Sequence, residues 1–252
     1  MSAARTFLQG GKRHTARAAV TSYTLSMPDE SGHEIEIKLA VAEPAAIRRR
    51  LRAAGGRPGP RLHEVNVLFD TPDELLRRRE MLLRIRVERS PAGSSIRASG
   101  ASRRESVNAL LFPRRGEQRA TITLKAPPVA GSPAGRTEEP AQNAYKIRRE
   151  VEFEVSDSRQ FRELLETLGY RPAFYYEKFR TIYRLPRVPK ALVALDETPV
   201  GVFLELEGRP RDIDRARAAL GYRPEDSILL SYGALYAARC AEKGGTPGDM
   251  LF

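Results

Sequence analysis

The most restrictive feature of this sequence is a set of short segments in which charged and apolar residues alternate. In the first segment, Glu34, Glu36 and Lys38 lie on one side of the alternation, and apolar residues fill the positions between them. Successive side chains of a β-strand point to opposite faces, so this period of two predicts a strand with one charged and one apolar face.

Eight segments are predicted as strands, and nearly all of them have such a charged face. The strands are expected at about 33–39, 62–69, 82–87, 121–125, 146–155, 177–183, 192–196 and 202–207. Helices are expected from Pro44 to the glycine pair at 55 and 56, from Asp157 to 168, and at about 213–220 and 227–241. If the strands close into a barrel whose apolar faces pack against the helices, the charged faces line its lumen.

The composition of the charged faces supports a lumen over an ordinary solvent-exposed sheet surface. A single strand of this kind is typical of a sheet with one wet face. These faces, however, are dense in Glu and Arg and poor in the Ser, Thr and Asn that solvent faces usually contain. Their charged residues are Glu34, Glu36 and Lys38; Arg84 and Arg86; Lys125; Arg148, Glu150 and Glu152; Lys178 and Arg180; Asp196; and Glu205 and Glu207.

Charges of both signs in one lumen need partners, because an unpaired buried charge is costly. Carboxylates call for divalent cations, and oxygen ligands of this kind suit Mg²⁺ or Mn²⁺. Arginine and lysine suit the oxygens of phosphoryl groups. Together the two sets predict a site for a metal ion and a triphosphate-containing small molecule.

Several motifs, in chain order, resemble the CYTH superfamily, the triphosphate tunnel metalloenzymes. The segment 33–38, His-Glu-Ile-Glu-Ile-Lys, resembles the ExExK signature with which these proteins open. The resemblance continues through residues 66–72, 83–86, 123–125, 148–152, 177–180, 195–196, 204–207 and 231–235. It implies an α+β fold, an eight-stranded antiparallel β-barrel with flanking helices, and either triphosphatase or class IV adenylate cyclase activity.

The resemblance also implies roles for individual residues. Glu34, Glu36 and Lys38 are expected to be catalytic. Metal ions are expected at Glu34, Glu36 and Glu207, with Asp196, Glu205, Glu150 and Glu152 as further ligands or holders of metal-bound water. The phosphates are expected to bind Lys38, Arg84, Arg86, Lys125, Arg148, Lys178 and Arg180. Leu68 departs from the family pattern, in which many members have an aromatic residue at this place.

Two functional alternatives stay open beside hydrolysis of a triphosphate. One is cyclisation of ATP to cyclic AMP and pyrophosphate. The other is a non-catalytic binder of polyphosphate or RNA, because the chain carries a net charge of +11. Most of that charge lies in residues 1–26 and 89–119, which are rich in Ser, Ala and Gly, so nucleic acid is not the expected partner.

The domain prediction follows from these patterns. Residues 1–32 are expected to be a disordered basic extension, 33–241 a CYTH domain, and 242–252 a C-terminal tail. Two insertion loops are expected within the domain, at about 89–119 and 127–144. The single cysteine, Cys240, and the absence of a long apolar stretch predict a cytoplasmic protein without membrane contact. A homodimer is left open.

Overall fold

The computed structural model describes residues 32–89, 102–113, 119–128 and 144–252 of the chain. Within these residues eight antiparallel strands close into a barrel, which confirms the predicted fold class. The strands are β1 His33–Ala40, β2 Arg57–Asp70, β3 Leu82–Arg89, β4 Ala120–Ala126, β5 Lys146–Val155, β6 Arg171–Arg184, β7 Leu192–Thr198 and β8 Gly201–Glu207. Around the barrel their order is β1, β5, β4, β3, β2, β6, β7 and β8, and β8 pairs with β1 to complete the ring.

Helices connect the strands and cover the outside of the barrel. Those described are α1 Pro44–Ala53, α2 Leu75–Arg78, α3 Arg103–Leu111, α4 Ser158–Thr167, α5 Pro210–Ala219 and α6 Tyr232–Glu242. A short ninth strand, β9 Ser227–Ile228, pairs with β1 just before α6. None of the described helices has the length and apolar character needed to cross a membrane.

The apolar faces of the strands point outward and form the hydrophobic core with the helices. On one side, Leu39 of β1 packs with Leu51 of α1 and Ile213 of α5. On another, Ile85 of β3 packs with Leu111 of α3. Each buried Leu or Ile contributes about 1.5–3 kcal/mol. This outer core therefore leaves the charged faces to line the lumen and offsets the cost of burying them.

One helix lies where the sequence analysis predicts only a loop. Within 89–119, α3 begins at a capping box formed by Ser102 and Glu105. Val107 and Leu111 are fully buried against the barrel. The loop prediction is therefore wrong for Arg103–Leu111, because a short apolar stripe and a good N-cap outweigh the basic composition of the surrounding residues.

Other boundaries differ in smaller ways. Strands β2 and β6 each extend over 14 residues and are longer than predicted. The final helix begins at Tyr232 and not at 227, because Ser231 caps it with a hydrogen bond to the amide of Ala234. In the predicted tail, Met250 is fully buried and pairs with the backbone of β6. Residues 1–31 of the extension predicted at 1–32, residues 90–101 and 114–118 of the first predicted loop, and residues 129–143 of the second lie outside the described residues.

Candidate active site in the barrel lumen

The inward faces of the strands enclose a cavity in which cations and carboxylates are almost balanced. Among the described residues, seven basic side chains line it: Lys38, Arg84, Arg86, Lys125, Lys146, Lys178 and Arg180. Six carboxylates line it as well: Glu34, Glu36, Glu150, Glu152, Glu205 and Glu207. The period of two in each strand places these residues on the same face of the sheet.

The two signs of charge occupy opposite walls of the barrel. The carboxylates come from β5, β1 and β8, which are neighbours in the ring, and we call this the acidic wall. Most of the cations come from β4, β3 and β6, which lie on the other side around β2, and we call this the basic wall. Lys38 and Lys146 are the two described basic residues of the cavity that lie within the acidic wall.

Glu36 is the centre of the acidic wall. Its Oε1 lies 3.0 Å from Nζ of Lys38 and 2.8 Å from Nζ of Lys146. Burial by itself would raise the pKa of Glu36, but these two ammonium groups outweigh burial and hold the pKa well below its ordinary value. Lys38 also lies 3.1 Å from Glu205. Although burial would lower the pKa of Lys38, the two carboxylates raise it.

Glu34 is in a different electrostatic environment although it lies only two residues away. It accepts a hydrogen bond from Lys125, whose Nζ also lies 3.5 Å from Glu150. Burial raises the pKa of Glu34, and repulsion from Glu36 and Glu150 adds to this despite the attraction of Lys125. The charged form of Glu34 is therefore disfavoured in the folded protein, whereas that of Glu36 is favoured.

Arginines of β3 form the centre of the basic wall. Arg84 donates hydrogen bonds to the hydroxyl of Tyr176 at 3.1 Å and to Thr123 at 3.0 Å. Both Arg84 and Arg86 lie near Oε2 of Glu152, at 3.8 Å and 3.5 Å. Burial would lower the pKa of Arg84, but Tyr176 and the nearby carboxylates raise it. Arg84 is held by two neutral partners and one carboxylate, whereas Arg86 has Nε 3.3 Å from Glu88 in addition to its contact with Glu152. Because a guanidinium group carries five N–H donors, Arg84 retains donors for a bound anion.

Asp196 holds the cations of β6 from below the cavity surface. Its Oδ1 accepts from Nε of Arg180 at 2.7 Å, and its Oδ2 accepts from Nη2 of Arg180 at 2.6 Å. The same Oδ2 accepts from Lys178 and from the hydroxyl of Tyr232, each at 2.9 Å. The side chain is fully buried. A carboxylate with this many donors positions the two cations that it binds.

A second buried carboxylate, Glu64 on β2, lies within the basic wall. Its oxygens are 3.3 Å from Nζ of Lys178 and 3.5 Å from Nε of Arg180. Burial would raise the pKa of Glu64, but Lys178, Arg180 and the arginines of β3 lower it to about 2. Glu64 is therefore ionised and reduces the repulsion among four neighbouring cations.

The family model for the CYTH domain matches residues 32–239, nearly the whole span of the barrel and its helices. The chain belongs to the CYTH domain family. No curated protein sequence is significantly similar to it.

Solved structures with the same fold resemble this CYTH domain at low sequence identity. A candidate adenylate cyclase from Vibrio parahaemolyticus superposes with a TM-score of 0.55 at 16% identity, covering 80% of this chain and 96% of the other. A protein from Pyrococcus horikoshii OT3 gives a TM-score of 0.55 at 19% identity, covering 79% and 95%. A conserved hypothetical protein from Pyrococcus furiosus gives 0.52 at 20% identity, covering 79% and 97%. At these identities the likeness shows the fold.

The CYTH barrel brings most of the predicted site residues together in one lumen, with two exceptions. Arg148 donates to the backbone carbonyl of Glu80 and is not among the residues that line the cavity. Asp196 lies beneath the cavity surface, where its oxygens are already occupied by hydrogen bonds. The positions of both residues follow from side-chain packing, which the alternation pattern does not specify.

Several residues in or just beneath the surface of the CYTH lumen are absent from the predicted set, among them Lys146, Tyr176, Glu64 and Tyr232. Lys146 and Tyr176 lie on the same strand faces as predicted residues of β5 and β6, so the period of two contained a signal for them. Glu64 lies on β2, which contributes no predicted site residue, and its pairing with Lys178 of β6 places it on the inward face. Tyr232 comes from α6, and its ring lies 5.2 Å from Nζ of Lys38 and 5.3 Å from Nζ of Lys178. No local pattern in the sequence indicated this contact.

The donor set of this CYTH lumen fits a hard divalent cation. All six cavity carboxylates offer oxygen ligands, which Mg²⁺ and Mn²⁺ prefer. Oε2 of Glu150 and Oε1 of Glu152 are buried without a hydrogen-bond partner among the described residues. Within the same residues no three His, Cys, Asp or Glu side chains form a ready cluster for a metal ion. The carboxylates are instead bound by lysine and arginine.

Proposed function

We propose that this CYTH protein is a metal-dependent phosphohydrolase that binds the triphosphate group of a small molecule in the barrel lumen. The observation that carries the proposal is the separation of charge inside one closed barrel. A basic wall faces an acidic wall, and the residues of both walls are buried or partly buried. A phosphate chain between the walls would meet guanidinium and ammonium groups on one side and carboxylates on the other.

The near balance of charge supports the requirement for a metal ion. A triphosphate carries about four negative charges near neutral pH, and the carboxylates would repel it if nothing shielded them. Glu34, Glu36 and Glu207 would hold Mg²⁺ or Mn²⁺, with Glu150, Glu152 and Glu205 as further oxygen donors. A bound divalent ion supplies Lewis-acid stabilisation of phosphoryl oxygens.

The basic wall would grip the phosphate oxygens. Arg84 and Arg86 present planar forks suited to bidentate contacts, and Lys125, Lys178 and Arg180 present further charges along the same wall. Lys38 would reach the chain from the acidic side. We assign Asp196 and Glu64 a positioning role, since both hold Lys178 and Arg180 in place.

In the proposed reaction, water attacks the terminal phosphorus and the bond from that phosphorus to the bridging oxygen breaks. Orthophosphate and the diphosphate-bearing compound are the products. The cations of the basic wall neutralise charge that develops on the phosphoryl oxygens and the leaving oxygen. A carboxylate of the acidic wall orients the water and accepts its proton.

A product assay tests this proposal. Purified protein is incubated with ATP, tripolyphosphate or thiamine triphosphate, with Mg²⁺, with Mn²⁺ or with EDTA, and orthophosphate, pyrophosphate and cyclic AMP are resolved. We expect orthophosphate from at least one substrate, only with metal. Arg84→Ala should weaken substrate binding, and Arg84→Lys should restore it only in part. As a matched control, Arg79→Ala removes an exposed arginine outside the lumen and should not change turnover.

Two outcomes would favour the alternatives. Cyclic AMP and pyrophosphate from ATP would keep the lumen as the site and replace hydrolysis by cyclisation. Metal-independent binding without turnover of any of the three substrates, with a steep dependence on salt, would indicate a binder of polyphosphate or RNA.

A further inference from the structure

A second cavity, of about 440 Å³, lies outside the barrel. It is formed between the loop that joins β6 to β7 and the first turns of α5. Its lining residues are Arg187, Pro189, Lys190, Arg209, Arg211, Asp212 and Arg215. Five of these seven side chains are basic, and one is acidic. We call this cavity the basic pocket.

The backbone on both sides of the basic pocket is anchored in the hydrophobic core. In the loop, Val188 and Ala191 are buried, and on α5 Ile213 is fully buried. The two segments approach closely at Gly208, where a Cβ would lie 2.9 Å from the carbonyl oxygen of Lys190. Gly208 also has a φ of +148°, which other residues rarely adopt. The pocket is therefore a fixed feature of the fold, and glycine at this position is required for it.

Most of the positive charge in the basic pocket has no counter-charge. In the described part of the chain, Arg187, Lys190, Arg211 and Arg215 form no ion pair and no side-chain hydrogen bond. Asp212 is the single carboxylate in the lining, and no ion pair joins it to these cations. By contrast, Arg48 of α1 and Arg61 of β2 share the carboxylate of Glu197. Cations that repel one another around a concave surface favour a bound anion.

The start of α5 adds to this preference. Arg209 occupies the N-cap position without a side-chain hydrogen bond to the first turn, and Pro210 follows it. The amino-terminal end of a helix carries a partial positive charge. Because Arg209 and Arg211 at this end both line the cavity, the helix dipole and the arginine charges act on the same space.

We propose that the basic pocket is a second anion site, which binds a small phosphate-bearing molecule such as inorganic diphosphate. The charges surround one bounded concavity contributed by two short segments, whereas nucleic-acid surfaces extend along a face. No aromatic side chain is present in the lining, so the pocket offers no ring on which a base could stack. The planar forks of the arginines in the lining match the geometry of phosphate oxygens.

The charge balance separates this pocket from the lumen. In the lumen, cations and carboxylates are nearly equal, so we expect polyphosphate to bind there together with divalent metal. In the basic pocket the excess of cations needs no metal. The two sites can therefore be distinguished by chelation, and this inference does not depend on the proposed activity.

Isothermal titration calorimetry of the full chain with inorganic diphosphate, at low salt and in excess EDTA, tests the inference. We expect one site per chain. Arg211→Ala/Arg215→Ala should weaken binding at least tenfold. The control Arg49→Ala/Arg52→Ala also removes two exposed, unpaired arginines from a ten-residue helix and should leave affinity within about twofold. Arg84→Ala in the lumen should leave it unchanged.

Five results would overturn the inference. The first is failure of diphosphate to bind in EDTA, and the second is wild-type affinity in the Arg211→Ala/Arg215→Ala variant. An equal loss in the Arg49/Arg52 control would show a dependence on net charge alone, and a loss in Arg84→Ala would place the anion in the lumen. The fifth is competition by RNA. If an RNA oligonucleotide displaced diphosphate at concentrations lower than diphosphate needs for its own binding, the partner would be nucleic acid.

Discussion

Replacing Asp196 by Asn tests whether this buried carboxylate anchors the basic wall. The substitution keeps the size of the side chain and removes its charge. It also replaces one acceptor oxygen by an amide group that faces the cations. Asp196 accepts two hydrogen bonds from Arg180 and one each from Lys178 and Tyr232, and it is fully buried. Removing one partner of a buried, hydrogen-bonded ion pair costs about 3–5 kcal/mol, because the other charge is left uncompensated.

The neighbouring residue Glu197 provides a matched control. It lies on the opposite face of the same strand and also pairs with two arginines, Arg48 and Arg61, but at the surface. Exposed ion pairs contribute about 0–1 kcal/mol. Urea denaturation of metal-free protein at pH 7 should therefore show a loss of about 3–5 kcal/mol for Asp196→Asn and no more than about 1 kcal/mol for Glu197→Gln.

The comparison also separates anchoring from metal binding. If Asp196 served chiefly as a metal ligand, removing its charge from metal-free protein would relieve repulsion and leave stability unchanged or higher. A loss below about 1 kcal/mol, or equal losses in the two variants, would refute the assignment of Asp196 as the counterion of Arg180.

Three further predictions concern other buried residues. Glu64→Gln should reduce the fall in the free energy of unfolding at acid pH. The pKa of Glu64 is about 2 in the folded protein and 4.5 when unfolded, so ionised Glu64 stabilises the fold above pH 4.5. This stabilisation is lost as the pH falls towards 2. The lost stabilisation amounts to about 3 kcal/mol. Urea titrations across this pH range would contradict the prediction if the free energies of unfolding of wild type and variant fell in parallel. Glu34→Gln and Glu36→Gln should both abolish turnover but change the stability of metal-free protein in opposite directions. Stability should rise for Glu34→Gln, because the pKa of Glu34 is raised in the fold, and fall for Glu36→Gln, because the pKa of Glu36 is lowered. Calorimetric melting checks the two signs, and near-normal activity in both variants would remove the metal-site assignment. Leu111→Ala should lower the free energy of unfolding by about 2–5 kcal/mol, because this side chain of α3 is fully buried. Leu164→Ala, at a half-exposed position, should lower it by less than about 1 kcal/mol. Equal losses in the two variants would show that α3 does not pack on the barrel.

Alternation along the chain was enough to predict the strands and most of the residues that line the lumen, whereas closure into a barrel was implied by the resemblance to the CYTH superfamily. A period of two is a local property, since each residue's face depends only on its position in its own strand. Residues such as Glu36 and Arg84 could therefore be assigned to the charged face before their partners were known. The same rule contained Lys146, which lies on the face of predicted residues of β5, but not Glu64, because β2 contributes no predicted site residue.

Helix α3 shows where composition misleads a prediction from sequence. The basic and small residues of 89–119 outweighed a short apolar stripe that includes Val107 and Leu111. That stripe is stabilised by burial against β2 and β3, a contact between distant parts of the chain. Packing of this kind decides the structure of marginal segments, because an isolated helix of nine residues is not stable alone.

The sequence by itself determined which residues share a charged face, the eight strands that carry those faces, and the family to which they belong. Only the tertiary structure decided how the charges pair. Whether Lys146 approaches Glu36, or Asp196 binds Arg180, depends on the register between strands that are far apart in sequence. The same holds for Tyr232, which α6 brings against two lysines of the lumen. Electrostatic energies depend on distances of a few ångströms and on burial, and closure of the barrel fixes both.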